Sequence, residues 1–70
     1  MNTLEKAQHQ IENDSEISEL VLGARQANHF LISNKSSLDS ISIIKLQTQR
    51  DVLISKARNR RSLILVSYFR

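Results

Sequence analysis

Seventy residues pass without a single proline, and the one glycine, Gly23, lies inside an apolar block rather than between polar runs. Proline and glycine are the residues that most often stop or weaken a helix. A chain nearly free of both, rich in Leu, Ile, Ala, Gln, Glu, Lys and Arg, favours long helices over sheet and leaves polar clusters as its only bends. The clearest such cluster is Asn34-Lys35-Ser36-Ser37-Leu38-Asp39-Ser40. Two helices joined by so short a connection must lie antiparallel. The expected fold is therefore all-α, an antiparallel helical hairpin of two long helices in one domain. Helix 1 is placed at about residues 3–33, the bend at about 34–40 and helix 2 at about 41–68.

Periodicity refines this outline. In the first segment Ile17, Leu20, Ala24, Ala27 and Leu31 recur at spacings of three and four, with Val21 and Ile32 widening the same stripe. Leu4, Ala7 and Ile11 form an earlier stripe, out of phase with the later one by roughly 120°. The slip coincides with Asn13-Asp14-Ser15-Glu16, where Asp14 or Ser15 is placed to cap a new helix. A kink, a break or a change of partner is expected near residue 14. Asn2 with Glu5 makes a weak capping box for the first turn. Gly23, beside Ala24 and Ala27, reads as a point of close helix approach, with simple tolerance at a partly exposed position as the plainer account.

In the second segment Ile43, Leu46, Leu53, Ala57, Ile64 and Tyr68 line one face, and Asp39 or Ser40 is the expected cap. Ile41, Ile44, Val52, Leu63 and Val66 line much of the opposite face. A two-helix hairpin cannot cover both sides of one helix, so one of them should meet another chain. Leu22 and Phe30 likewise fall roughly 140° around helix 1 from Ile17. The terminal Leu63-Ile64-Leu65-Val66 also suits a strand, but the helical run leading into it favours helix.

Several chemistries are set aside. There are no cysteines, which removes disulfides and thiolate metal sites, and the two histidines, His9 and His29, lie twenty residues apart without a ligand companion. No glycine-rich phosphate loop or nucleophile motif is present, and a thin hairpin offers no obvious water-excluded cleft. No enzyme activity, cofactor or metal is expected. The first residues lack a basic stretch followed by an apolar one, and the longest apolar run, Leu63 to Val66, is far short of the roughly 20 residues that span a bilayer. A cytoplasmic protein without signal peptide or membrane insertion is expected.

Charge is unevenly shared. Residues 1–35 hold five acids and three bases, whereas residues 36–70 hold two acids and seven bases. A bend centred near Ser37 would bring Glu16 and Glu19 toward Lys56 and Arg58, and Glu12 toward Arg60 and Arg61. The stretch Lys56-Ala57-Arg58-Asn59-Arg60-Arg61 reads either as a phosphate-binding patch or as a solvated helix face. The second reading is preferred, because no base-reading motif or interleaved aromatic accompanies it.

With these features in place, the chain resembles the small needle-protein co-chaperones of bacterial type III secretion, the YscE/PscE/SsaE-like group. The resemblance rests on the start Met1-Asn2-Thr3-Leu4, the block Leu20-Val21-Leu22-Gly23-Ala24-Arg25-Gln26-Ala27, the bend around Ser37-Leu38-Asp39, and the end Leu63-Ile64-Leu65-Val66-Ser67-Tyr68-Phe69-Arg70. It is nearest the SsaE-like branch. None of these is a signature motif, and the very basic stretch from Lys56 to Arg61 departs from the family's usual look. The resemblance implies a hairpin that binds a larger TPR-like chaperone, the two together keeping the needle subunit monomeric before export. From helical geometry, the partner-binding residues are expected to be Leu22, Phe30, Val52, Leu63 and Val66. The alternatives are a small basic dimeric nucleic-acid-associated regulator and a self-associating coiled-coil adaptor, and alone the chain is expected to be marginally stable or to pair with itself as a homodimer.

Overall fold

The computed structural model describes residues 2–70; Met1, the first of the residues that carry the resemblance, lies outside them. Three helices follow one another: α1 (Thr3–Glu12), α2 (Ser15–Asn34) and α3 (Ser40–Phe69). The all-helical architecture agrees with the sequence reading, but the count of two long helices does not. The first expected helix is divided at Asn13 and Asp14, and the terminal apolar segment continues α3 as helix.

Each start has an identifiable cause. Asn2, Asp14 and Asp39 adopt extended backbone conformations, and each side chain accepts the N–H of the residue three positions on, from Glu5, Ile17 and Ser42 at 2.8, 2.9 and 2.8 Å. Such caps satisfy N–H groups that have no partner within the first helical turn. At the end of α1 the Asn13 side chain returns to the His9 carbonyl at 2.8 Å. The bend uses no left-handed residue. The backbone N–H groups of Ser37 and Leu38 both return to the Asn34 carbonyl, and the Ser37 hydroxyl donates to it as well.

At 1.5 Å per residue α3 is about 45 Å long, and α1 and α2 placed end to end reach the same length. Both pack against α3. The result is a rod of 49 × 18 × 14 Å. Its radius of gyration, 15.5 Å, exceeds the roughly 11 Å of a compact globule of this length. α1 thus lies along α3 in line with α2. Ala7 is fully buried, and the Tyr68 hydroxyl donates to Oε1 of Gln10 near the far end of α3.

The core is a single seam. Ala7, Ala24, Leu31, Ala57 and Ile64 are buried, while Ile17, Leu20, Val21, Ile43, Leu46 and Leu53 are half-buried beside them. Ile32 does not join this stripe: at 67% exposure it projects to solvent. Its direction is roughly 100° from that of Leu31, beyond the reach of a partner on one side only. Three of the five buried side chains are alanine methyls, so the helices come close with little apolar volume between them. Gly23 fits that approach, because a Cβ there would lie 3.2 Å from Cδ1 of Leu53.

The ion pairs fall near the expected register but engage other residues. Arg60, rather than Lys56 or Arg58, meets Glu16, with Nε 3.3 Å from Oε2. The same guanidinium donates to Oδ2 of Asp14 from Nη2 at 3.1 Å and from Nε at 3.3 Å, and the Asp14 side chain is only 9% exposed. Asp14 and Arg60 lie equally far in sequence from Ser37, the centre of the residues between α2 and α3.

Both capping aspartates titrate below the ordinary value of 3.8. For Asp14 the main cause is the Ile17 N–H, partly opposed by desolvation and reinforced by Arg60. For Asp39 it is the Ser42 hydroxyl, followed by the Ser42 N–H. Their carboxyls bind protons less readily folded than unfolded, so the stability they confer is present above pH 3.8 and lost as pH falls through the folded values. The melting temperature should therefore drop on acidification from about pH 5 to about pH 2. A Asp14→Asn/Asp39→Asn double variant, which keeps neutral cap acceptors, should show a shallower drop; equal slopes would refute the assignment. At the close contact, Gly23→Ala should be neutral or stabilising in urea denaturation, since up to about 1 kcal/mol of helix propensity is gained and the half-buried Leu53 has room to give. Gly23→Ile should cost about 1–3 kcal/mol by forcing the helices apart.

Candidate functional site

Two surfaces of the rod are more apolar than solvation alone requires, and they lie on different sides of it. The first is the back of α3. Ile41, Ile44, Val52, Leu63 and Val66 are all exposed, from 45% at Val52 to 67% at Leu63. Ile41, Val52 and Leu63 are eleven residues apart, and Ile44 and Val66 twenty-two. Eleven residues turn a helix by three revolutions and about 20°, so these side chains stay in line for most of the helix. Nothing among the described residues covers them.

The structure brings together only part of the expected partner-binding set. Val52, Leu63 and Val66 share the back of α3, and Leu22 and Phe30 are exposed on α2 as expected. On helical geometry, however, Leu22 and Phe30 point roughly 80° apart. Leu22 borders a hollow formed with Ile11, Ile17, Val21 and Arg25 rather than the α3 line. The five residues are thus not one patch but a line of three and two separate flanks.

The second surface is a groove that the sequence did not reveal. It is open along one side of the rod, has a volume of about 850 Å³, and is lined by residues of all three helices. Its floor is apolar: Ile11 from α1, Ile17, Val21 and Ala24 from α2, and Ile54 and Ala57 from α3. The small methyls of Ala24 and Ala57 leave it depth. Its rim carries Arg25, Arg50, Arg58 and Arg61 against the single carboxylate of Glu12. The expectation of no cleft is corrected to that extent, although this groove is open to water along its length. Ile54 and the phase-shifted Ile11 were the available signals, but only the docking of α1 on α3 places them on one floor.

The basic stretch is divided among sides of α3. Arg58 and Arg61 face the groove, whereas Arg60 reaches Asp14 and Glu16. Arg50 is held at the other end of the groove by Asn28, Nη1 to Oδ1 at 2.9 Å, and by its neighbour Asp51 at 3.2 Å. Among the described residues Arg25, Arg58 and Arg61 have no carboxylate within 4.0 Å. His9 and His29 are exposed on different helices, and no group of three metal-ligating side chains occurs among the described residues. No helix is long and apolar enough to cross a membrane.

Core and surface should respond differently to truncation. Leu63→Ser should change the stability of the monomer by no more than about 0.5 kcal/mol, whereas the adjacent Ile64→Ala should cost about 2–5 kcal/mol, both read by urea denaturation at a concentration low enough to keep the chain monomeric. Comparisons with protein-family models, with characterised proteins and with solved structures gave no match to this chain.

Proposed function

We propose that this chain works as a small protein-binding partner without catalytic activity, and specifically as a type III secretion co-chaperone that stabilises a TPR-like chaperone. Together the two would keep a needle subunit monomeric in the cytoplasm before export. The observation that carries the reading is the uncovered apolar line on the back of α3, Ile41 through Val66. A narrow core whose only large buried side chains among the described residues are Leu31 and Ile64, neither of them fully buried, supports it. Chains this small commonly gain the missing stability by binding, since a partner that binds only the folded state adds its binding free energy to folding. The finer assignment comes from the resemblance of the sequence, and the residues set against the chaperone are Val52, Leu63 and Val66, flanked by Leu22 and Phe30.

The nucleic-acid regulator is less well supported, because Arg60 is taken up by Asp14 and Glu16, and the arginines around the groove rim an aliphatic floor with no aromatic side chain to stack a base. Alone, the chain should be marginally stable or should pair with itself through the back of α3. A well-folded monomer at micromolar concentration would contradict this. The deciding experiment is co-expression with the genes flanking its own, followed by affinity purification and light scattering. The expected result is a defined complex with a TPR-like chaperone and a small needle-like subunit, lost in Leu63→Lys/Val66→Lys while helicity by circular dichroism is retained. Recovery of a homodimer alone would move the reading to the adaptor, and recovery of nucleic acid removable by salt would move it to the regulator.

A further inference from the structure

The groove between the two arms is a different surface from the back of α3, and its chemistry is more specific. Two helices side by side, 8–10 Å apart, leave a furrow of the shape that a third helix fills. Between Arg50 and Arg61 the furrow runs about 17 Å along α3, room for three turns of a docked helix. Its apolar floor would bury the side chains that a helix presents at positions i, i+3, i+4 and i+7. Its rim sets four arginines against one carboxylate. Three of them, Arg25, Arg58 and Arg61, have no acidic partner within 4.0 Å among the described residues.

Like charges gathered around an apolar floor repel one another while the groove is empty, and an occupant with acidic flanks removes that repulsion as it covers the floor. The geometry points to an amphipathic helix of another protein, apolar on one face and acidic along both edges of it, as the occupant of this groove. A nucleic acid fits less well. A phosphodiester strand has nothing to place on an aliphatic floor, no aromatic side chain lines the groove to stack a base, and Glu12 would oppose it at one end. A second copy of this chain would have to offer its acidic half, where the exposed Leu4, Leu22, Phe30 and Ile32 do not fall in one line, whereas α3, which carries the longest exposed apolar line, belongs to the basic half. The inference does not depend on what covers the back of α3.

The test uses the whole chain and a synthetic helical peptide of about 18 residues, with leucines at i, i+3, i+4 and i+7 and glutamates flanking them. A second peptide carries lysines in place of the glutamates. Binding is followed by fluorescence anisotropy at low and moderate salt, and the bound surface by amide chemical shifts. The acidic peptide is expected to bind at least tenfold more tightly than the basic one, with a preference that shrinks as salt rises. The shifts should fall at Ile11, Val21 and Ile54. Arg25→Glu/Arg58→Glu/Arg61→Glu alters three exposed side chains and should reverse the preference. Ile54→Ser, with helicity retained, should weaken either peptide.

Equal binding of the two peptides, or no binding of the acidic one, would overturn the inference. So would shifts confined to the line Ile41, Val52 and Leu63, or displacement of the acidic peptide by a duplex oligonucleotide. A dimer whose groove amides are already covered in the isolated chain would assign the groove to a second copy. Since no chaperone is present in these measurements, failure to recover a chaperone complex leaves this result standing, and the reverse holds as well.

Discussion

Asp14 does two things with one carboxylate, and the shape of the protein follows from both. Oδ1 accepts the Ile17 N–H and starts α2; Oδ2 accepts two N–H bonds from Arg60, forty-six residues away on α3. The first bond ends any continuation of α1 into α2. The second ties that interruption to one position along the opposite arm. Both bonds go to one oxygen, at 3.1 and 3.3 Å, from a guanidinium that is 42% exposed, so the pair sets register more than it adds stability, and Glu16 holds the same guanidinium from the next turn.

The interruption matters because of phase. An unbroken helix over residues 3–34 would carry Leu4, Ala7 and Ile11 roughly 120° away from the face that Ala24 and Leu31 present to α3. With two non-helical residues inserted, Ala7 and Ala24 both reach α3, and Ile11 comes to rest beside Ile17 and Val21. The break is thus what allows a short amphipathic helix and a longer one to share a single straight partner. It also creates the groove, whose floor needs residues from both sides of Asp14.

A seam made largely of alanine brings the helices close, but it uses little of the chain's apolar volume. Among the described residues ten large apolar side chains remain exposed, five of them in line on α3. At the same time a helix distributes consecutive residues at about 100° intervals, so the run Lys56 to Arg61 cannot act as one basic patch. Arg60 is used within the hairpin, and Arg58 and Arg61 join Arg25 and Arg50 around the groove. Two surfaces result, an apolar line on the back of α3 interspersed with Lys45, Thr48 and Asn59, and an apolar groove with a cationic rim, suited to partners of different character.

Much of this was legible beforehand, because helix formation and capping are local. The absence of proline, the three- and four-residue spacings, the polar cluster at 34–40 and the acceptors at Asn2, Asp14 and Asp39 act within one or two turns of their own positions. They specified helices, ends and the face each would bury, and they exposed the second apolar line on α3, since no hairpin has two insides. What required the tertiary structure was every property that depends on two helices at once. The separation of α1 as an element that docks rather than frays, the register that gives Arg60 to Asp14 and the groove under four arginines all depend on how the helices pack against one another. Each arises between residues far apart in the sequence, as Asp14 and Arg60 are, so no signal confined to one or two turns specifies it.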